Sequence, residues 1–122
     1  MTPVTMAAFV VLAATGTLAR AGTQQIAQRA GLWPMGTLAV NLVGSLAIGV
    51  LAGAAGDDLS SLSTLALATA VGGLGAFTTF SSFAHELTQL LQQQRWLMAG
   101  AYGAATLVGG VALAWVGLTI TS

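Results

Sequence analysis

The sequence predicts an all-α membrane protein with four transmembrane helices in each chain, and three observations carry that reading. Of 122 residues, 56% are hydrophobic and 5% are charged, against roughly 25% charged in a soluble domain, so water is not the main solvent of this chain. The ionisable side chains other than tyrosine are Arg20, Arg29, Asp57, Asp58, His85, Glu86 and Arg95, and they leave charge-free windows at 1–19, 30–56, 59–84 and 96–122. Each window reaches the roughly 20 residues needed to cross about 30 Å of hydrocarbon as a helix. Glycine is abundant, with 16 in the chain, as membrane helices require when close backbone approach replaces the hydrophobic drive between them.

The same composition excludes several function classes. Three arginines, no lysine and three acidic residues give a formal net charge of zero, which leaves no basic footprint for nucleic acid. With no cysteine and one histidine, disulfides, thiol chemistry and the usual zinc sites have no ligands. The connections are too short to hold a soluble catalytic domain, so the chain reads as one transmembrane domain and not as an enzyme. Its spans lie near 4–20, 33–55, 60–84 and 97–119.

The first span opens with MTPVTMAAFVVL, which lacks the positive n-region of a secretory signal, so it reads as a retained membrane helix. A Gln-bearing connection follows Arg20. In the second span, Gly36, Thr37, Val40, Asn41, Gly44, Ser45 and Ile48 recur at three- and four-residue spacings, which gathers them on one helix face as a small-residue stripe with a polar seam. Asn41, one turn after Thr37, suits either an interhelical tie or an amide donor lining a pore. Either use points to association with another chain, because four helices are too few to surround a water-filled path, and a homodimer is the simplest assembly.

The third span carries GGLGAFTTFSSF at 72–83. Each glycine disfavours helix by about 1 kcal/mol relative to alanine, and threonine hydroxyls compete for backbone carbonyls, so a break is expected there. The window is centred near residues 71 and 72, placing the break close to the bilayer midplane, where freed carbonyls must be satisfied and can form a site for a hard cation. A continuous glycine-packed helix is the alternative, and it accounts less well for TTFSSF. Phe80 and Phe83 share a face: they suit a core-packing pair, or two positive ring edges along an anion path that binds weakly enough to release its ion. HELTQLLQQQR extends this helix into the interface, where Glu86 reads as an interfacial side chain beside His85. Loops one and three share a side with all three arginines, so the positive-inside rule puts that side in the cytoplasm and both termini outside.

GTLAR at 16–20, GTLAVNLVG at 36–44 and GGLGAFTTFSSFAHE at 72–86 together resemble the Fluc/CrcB family of fluoride channels over nearly the whole chain. The third motif is the specific one. The resemblance implies an antiparallel, dual-topology homodimer in a bacterial inner membrane, with two fluoride pores and a central Na⁺ where the two broken third helices cross. It implies that backbone carbonyls of Gly75 and Thr78 bind the sodium and that Phe80, Phe83 and Asn41 line the pore, with Thr37 one turn before Asn41 and Thr79 and Ser82 beside the phenylalanines. Arg20 corresponds to a first-helix arginine at the pore mouth, followed here by Ala21 where an aromatic is common. On the fourth helix Tyr102 and Thr106 begin the family's polar track, but Gly110 and Ala114, next on that face, carry no hydroxyl. Dual topology also asks for little orientation bias, whereas the arginines stand three to none; discounting Arg20 as intramembrane leaves two.

Two other classes share the composition. A small multidrug-type antiporter has similar length, yet needs an intramembrane carboxylate that the first span lacks; the only candidate acid is Glu86, at the end of the third span. A packing subunit of a larger complex would explain the glycines but gives no reason to align Thr37, Asn41, Thr79, Ser82 and Thr106.

Overall fold

The computed structural model describes residues 2–58, 60 and 63–122; positions 61 and 62, at the head of the third predicted span, lie outside the described residues. All regular structure among the described residues is helical. Helix α1 spans Pro3–Arg29, opened by the Thr2 side chain accepting from the Thr5 N–H, with proline in the first turn where it has no bond to lose. It runs nine residues past Arg20, so the Gln-bearing stretch is helix rather than loop. Gly22 alone does not stop it; the chain turns only at Gly31, at a φ of 73° that favours glycine. Helix α2 spans Met35–Ala55 and ends at Gly56 with φ 66°. In the following turn, hydrogen bonds from the Ser60 hydroxyl and N–H hold the Asp58 carboxyl below its usual pKa.

The third membrane-length segment, Thr64–Gln92, is composite. Helix α3 (Thr64–Ala68) starts at the Ser63 cap and passes into a π-helical stretch, Thr69–Leu74, then into a single turn, α4 (Gly75–Phe77). Thr78 and Thr79 are extended, with φ and ψ of −75° and 157°, and −151° and 119°. The Thr79 hydroxyl then accepts from the Ser82 N–H to open α5 (Phe80–Gln92). Helix α6 spans Trp96–Thr121. These helices supply four membrane-length, apolar segments, and the chain is a multi-pass membrane protein.

The most extensive contact joins α2 to α6. Glycine makes it possible, since a Cβ on Gly49 would overlap the Ala114 carbonyl and one on Gly117 would meet the α2 backbone at Leu46 and Val50. A second close approach sets Gly16 of α1 against the Gly73 carbonyl of the π stretch. The buried cluster is small: Phe83, Leu90, Ala99 and Tyr102, packed by Trp33, Leu38, Leu87 and Met98. Large apolar side chains elsewhere face outward, as lipid allows.

Candidate functional site

The extended pair Thr78–Thr79 is held from α2. The Asn41 amide donates to the Thr79 carbonyl at 2.9 Å, and its own oxygen accepts from the Thr79 N–H at 2.8 Å. One side chain thereby satisfies both backbone groups of a residue only 6% exposed, the substitute partner that non-helical backbone needs away from water. The two amide protons of asparagine are separate donors, so one Asn41 N–H stays available after the Thr79 bond is made.

Around this clamp lies a cleft of about 260 Å³, lined by Asn41, Ser45, Thr79, Phe80, Phe83 and Thr106 among others. The two phenylalanine rings meet at 5.7 Å between centroids, tilted by 57°. Phe83 also lies 5.3 Å from Tyr102 and is 4% exposed, whereas Phe80 is 74% exposed. The Thr106 hydroxyl donates back to the Tyr102 carbonyl at 2.8 Å, and the Thr78 hydroxyl to the Leu74 carbonyl at 3.0 Å.

A second cleft, of about 200 Å³, is lined by Gln24, Trp33, Thr37, Ser82, His85 and Glu86 among others. At its base, Thr37 donates to one Glu86 oxygen at 2.8 Å and Tyr102 to the other at 2.7 Å. Gln24 donates to the Thr37 hydroxyl at 2.9 Å, which directs the threonine proton toward Glu86. Both carboxylate oxygens are thus satisfied, as a buried acid requires. Thr37, Tyr102 and Ser82 therefore gather around Glu86, while Asn41, Thr79, Thr106 and Phe80 gather around the first cleft. The Phe83 ring bridges the groups, lining one and touching Tyr102 of the other. Arg20 is half-buried inside α1 and lines neither cleft.

Glu86 is the residue whose burial reading the sequence missed. It is 9% exposed, because consecutive helical residues point about 100° apart: His85 is exposed, and Glu86 turns toward Thr37 of α2 and Tyr102 of α6. The available signal was its spacing from Phe83 and Leu90, three before and four after, both buried.

Gly75 is exposed, and a Cβ there would meet nothing within 4 Å. The Thr78 carbonyl accepts no hydrogen bond from the described residues. Among the described residues there is no group of three or more His, Cys, Asp or Glu that could hold a metal ion.

The family described as CrcB-like protein, Camphor Resistance (CrcB), matches residues 7–118. The chain is 40% identical over 107 residues to the fluoride-specific ion channel FluC of Nitratidesulfovibrio vulgaris, covering 86% of each. It is 44% identical over 91 residues to FluC 1 of Geobacillus kaustophilus, covering 75% of this chain and 74% of that one. To FluC 2 of Moorella thermoacetica it is 41% identical over 87 residues, 71% of this chain and 70% of that one. A family match over residues 7–118 reaches into all four membrane-length segments, and the chain belongs to the CrcB family.

Proposed function

We propose that the chain is the subunit of a passive, selective fluoride channel of the bacterial inner membrane, releasing F⁻ down its electrochemical gradient and so protecting the cell from fluoride. It acts as a channel and not as an enzyme. The observation that carries the reading is the cleft at the Asn41–Thr79 clamp, where an amide N–H, hydroxyls and two phenylalanine rings converge without a cation. Fluoride is small and strongly hydrated, so its path must replace water with several weak donors; ring edges and an amide do so without trapping the ion as an arginine ring would. The relatives' shared name, fluoride-specific ion channel, supports the same substrate.

The functional unit in this reading is an antiparallel, dual-topology homodimer with two pores. In a single chain the cleft opens beside Phe80, Ile48 and Leu107, which are 74%, 43% and 58% exposed. Lipid against that opening would strand its polar groups in hydrocarbon, and a second copy would cover them. Arg20 lies nine residues before the end of α1; with it counted as intramembrane, the arginine bias that opposes dual topology falls to Arg29 and Arg95. The interruption at Thr78–Thr79 lies near the bilayer midplane, and carbonyls of Gly75 and Thr78 from both copies hold a central Na⁺. When bound, the sodium supplies fixed positive charge where the two third segments cross. Crystals of the dimer should show one oxygen-ligated cation there, and anomalous scattering that finds only water would overturn the sodium site.

The test of transport is efflux from proteoliposomes loaded with potassium fluoride, with the potential clamped by a potassium ionophore and chloride as paired control. Fast fluoride release without chloride release is expected. Phe80→Ile and Phe83→Ile should each reduce it to the leak of empty liposomes while the dimer stays folded, because bulk is kept and the ring edge is lost. Unchanged flux in both variants sinks the ring-edge mechanism. The buried Glu86 is the one observation that favours proton-coupled antiport, and release that depends on an opposing proton gradient would decide for it.

A further inference from the structure

We propose that Ser45 is an additional selectivity residue of the pathway, giving the ion the hydroxyl donor that α6 does not supply at Gly110. The inference rests on the fluoride-channel reading above. On α6 the hydroxyl series stops after Thr106, with Gly110 and Ala114 following at one-turn intervals. The two hydroxyls that are present have already spent their protons, Tyr102 on Glu86 and Thr106 on the Tyr102 carbonyl. The Thr78 proton goes to Leu74, and the Thr79 hydroxyl is shared with Ser81 at 3.3 Å. An anion in this cleft would therefore find few uncommitted O–H donors.

Ser45 is one. It lines the same cleft as Asn41, Phe80 and Phe83, one helical turn beyond Asn41 and so about 6 Å further along α2. Its hydroxyl has no hydrogen-bond partner among the described residues. That sets it apart from Thr15, Thr69, Thr88 and Thr106, whose hydroxyls each donate to the carbonyl one turn back, the usual resort of a hydroxyl in an apolar helix. Ser45 is half-buried and its oxygen is not among the fully buried polar atoms, so its proton is open to whatever occupies the cleft.

The Ser45 oxygen lies 3.3 Å from where a Cβ on Gly110 would stand, so the serine hydroxyl fills the space a side chain from α6 would enter. The free Asn41 N–H and the Ser45 O–H then form consecutive donors along α2, between which an ion can pass while staying partly coordinated.

The test compares fluoride and chloride efflux from proteoliposomes of the unsubstituted protein, Ser45→Ala and the double variant Ser45→Gly with Gly110→Ser. Alanine removes one oxygen and favours helix, so Ser45→Ala should remain a folded dimer by size exclusion. Its fluoride efflux should fall about tenfold, the scale of one hydrogen bond to a charged group, with no gain in chloride release. The double variant returns a hydroxyl to the gap from α6 and should recover most of the lost rate. Equal fluoride rates in Ser45→Ala and the unsubstituted protein would overturn the role of Ser45 while leaving the channel intact. A folded double variant as slow as Ser45→Ala would overturn the shared-gap argument. Absence of fluoride release from the unsubstituted protein would remove the channel reading and this inference together.

Discussion

Asn41→Leu should abolish fluoride efflux and destabilise the subunit at the same time. Leucine keeps the branching of asparagine at Cγ, is bulkier, and offers neither bond, so the Thr79 N–H and carbonyl, now joined to the amide at 2.8 and 2.9 Å, are left buried and unpaired. At about 1–3 kcal/mol for each unsatisfied group, the loss is about 2–6 kcal/mol. The extended backbone at Thr78 and Thr79 loses its support, and with it the placement of Phe80 and of the Thr79 cap on α5. Asn41→Asp separates the structural from the electrostatic role. The carboxylate can still accept from the Thr79 N–H but sets a second oxygen against the Thr79 carbonyl, and its charge repels the anion. Transport should stop in both variants, and thermal unfolding in detergent should shift less for Asp than for Leu wherever the side chain is protonated. Fluoride flux surviving at neutral pH in Asn41→Asp would remove Asn41 from the pathway.

Gly49→Val should have the largest effect on folding. A Cβ at this position overlaps the Ala114 carbonyl, which is backbone and cannot rotate away, so α2 and α6 must separate along their longest contact. Overpacking usually costs about 1–3 kcal/mol, and a backbone obstacle puts this substitution at or above the top of that range. Gly117→Val meets the facing backbone of α2 and should behave alike, whereas Gly100→Ala, whose added Cβ meets nothing within 4 Å, should be neutral or slightly stabilising. The check is monodispersity and apparent melting temperature in detergent. Similar melting temperatures for Gly49→Val and Gly100→Ala would show that the α2–α6 contact does not set stability. The same contact spaces Asn41 and Ser45 from Thr106, so any Gly49 variant that does fold should conduct poorly.

Charge spacing alone determined the class of this protein. Seven ionisable groups spread over 122 residues leave windows too long and too apolar for water, and no packing detail can reverse that free energy. Residue chemistry also singled out Asn41, Phe80 and Phe83, while leaving open whether the amide ties helices or lines a pore and whether the rings pack a core or line a path. The α1 helix was underestimated for a related reason: Arg20 ends an apolar window, but charge does not end a helix, and only Gly31 and Pro34 interrupt its backbone.

Tertiary structure decided what no window shows, namely which polar groups face one another. Thr37 and Glu86 are 49 residues apart and share a hydrogen bond; Asn41 and Thr79 are 38 apart and share two. The expected seam of Thr37, Asn41, Thr79, Ser82 and Thr106 divides between two clefts, Thr37 and Ser82 lining one and Asn41, Thr79 and Thr106 the other. The gap at Gly110 is likewise filled from α2 rather than from α6. Helical periodicity reports the face a residue occupies on its own helix, whereas the partner of that face depends on how closely glycine lets two backbones approach, and that is a property of the packed pair.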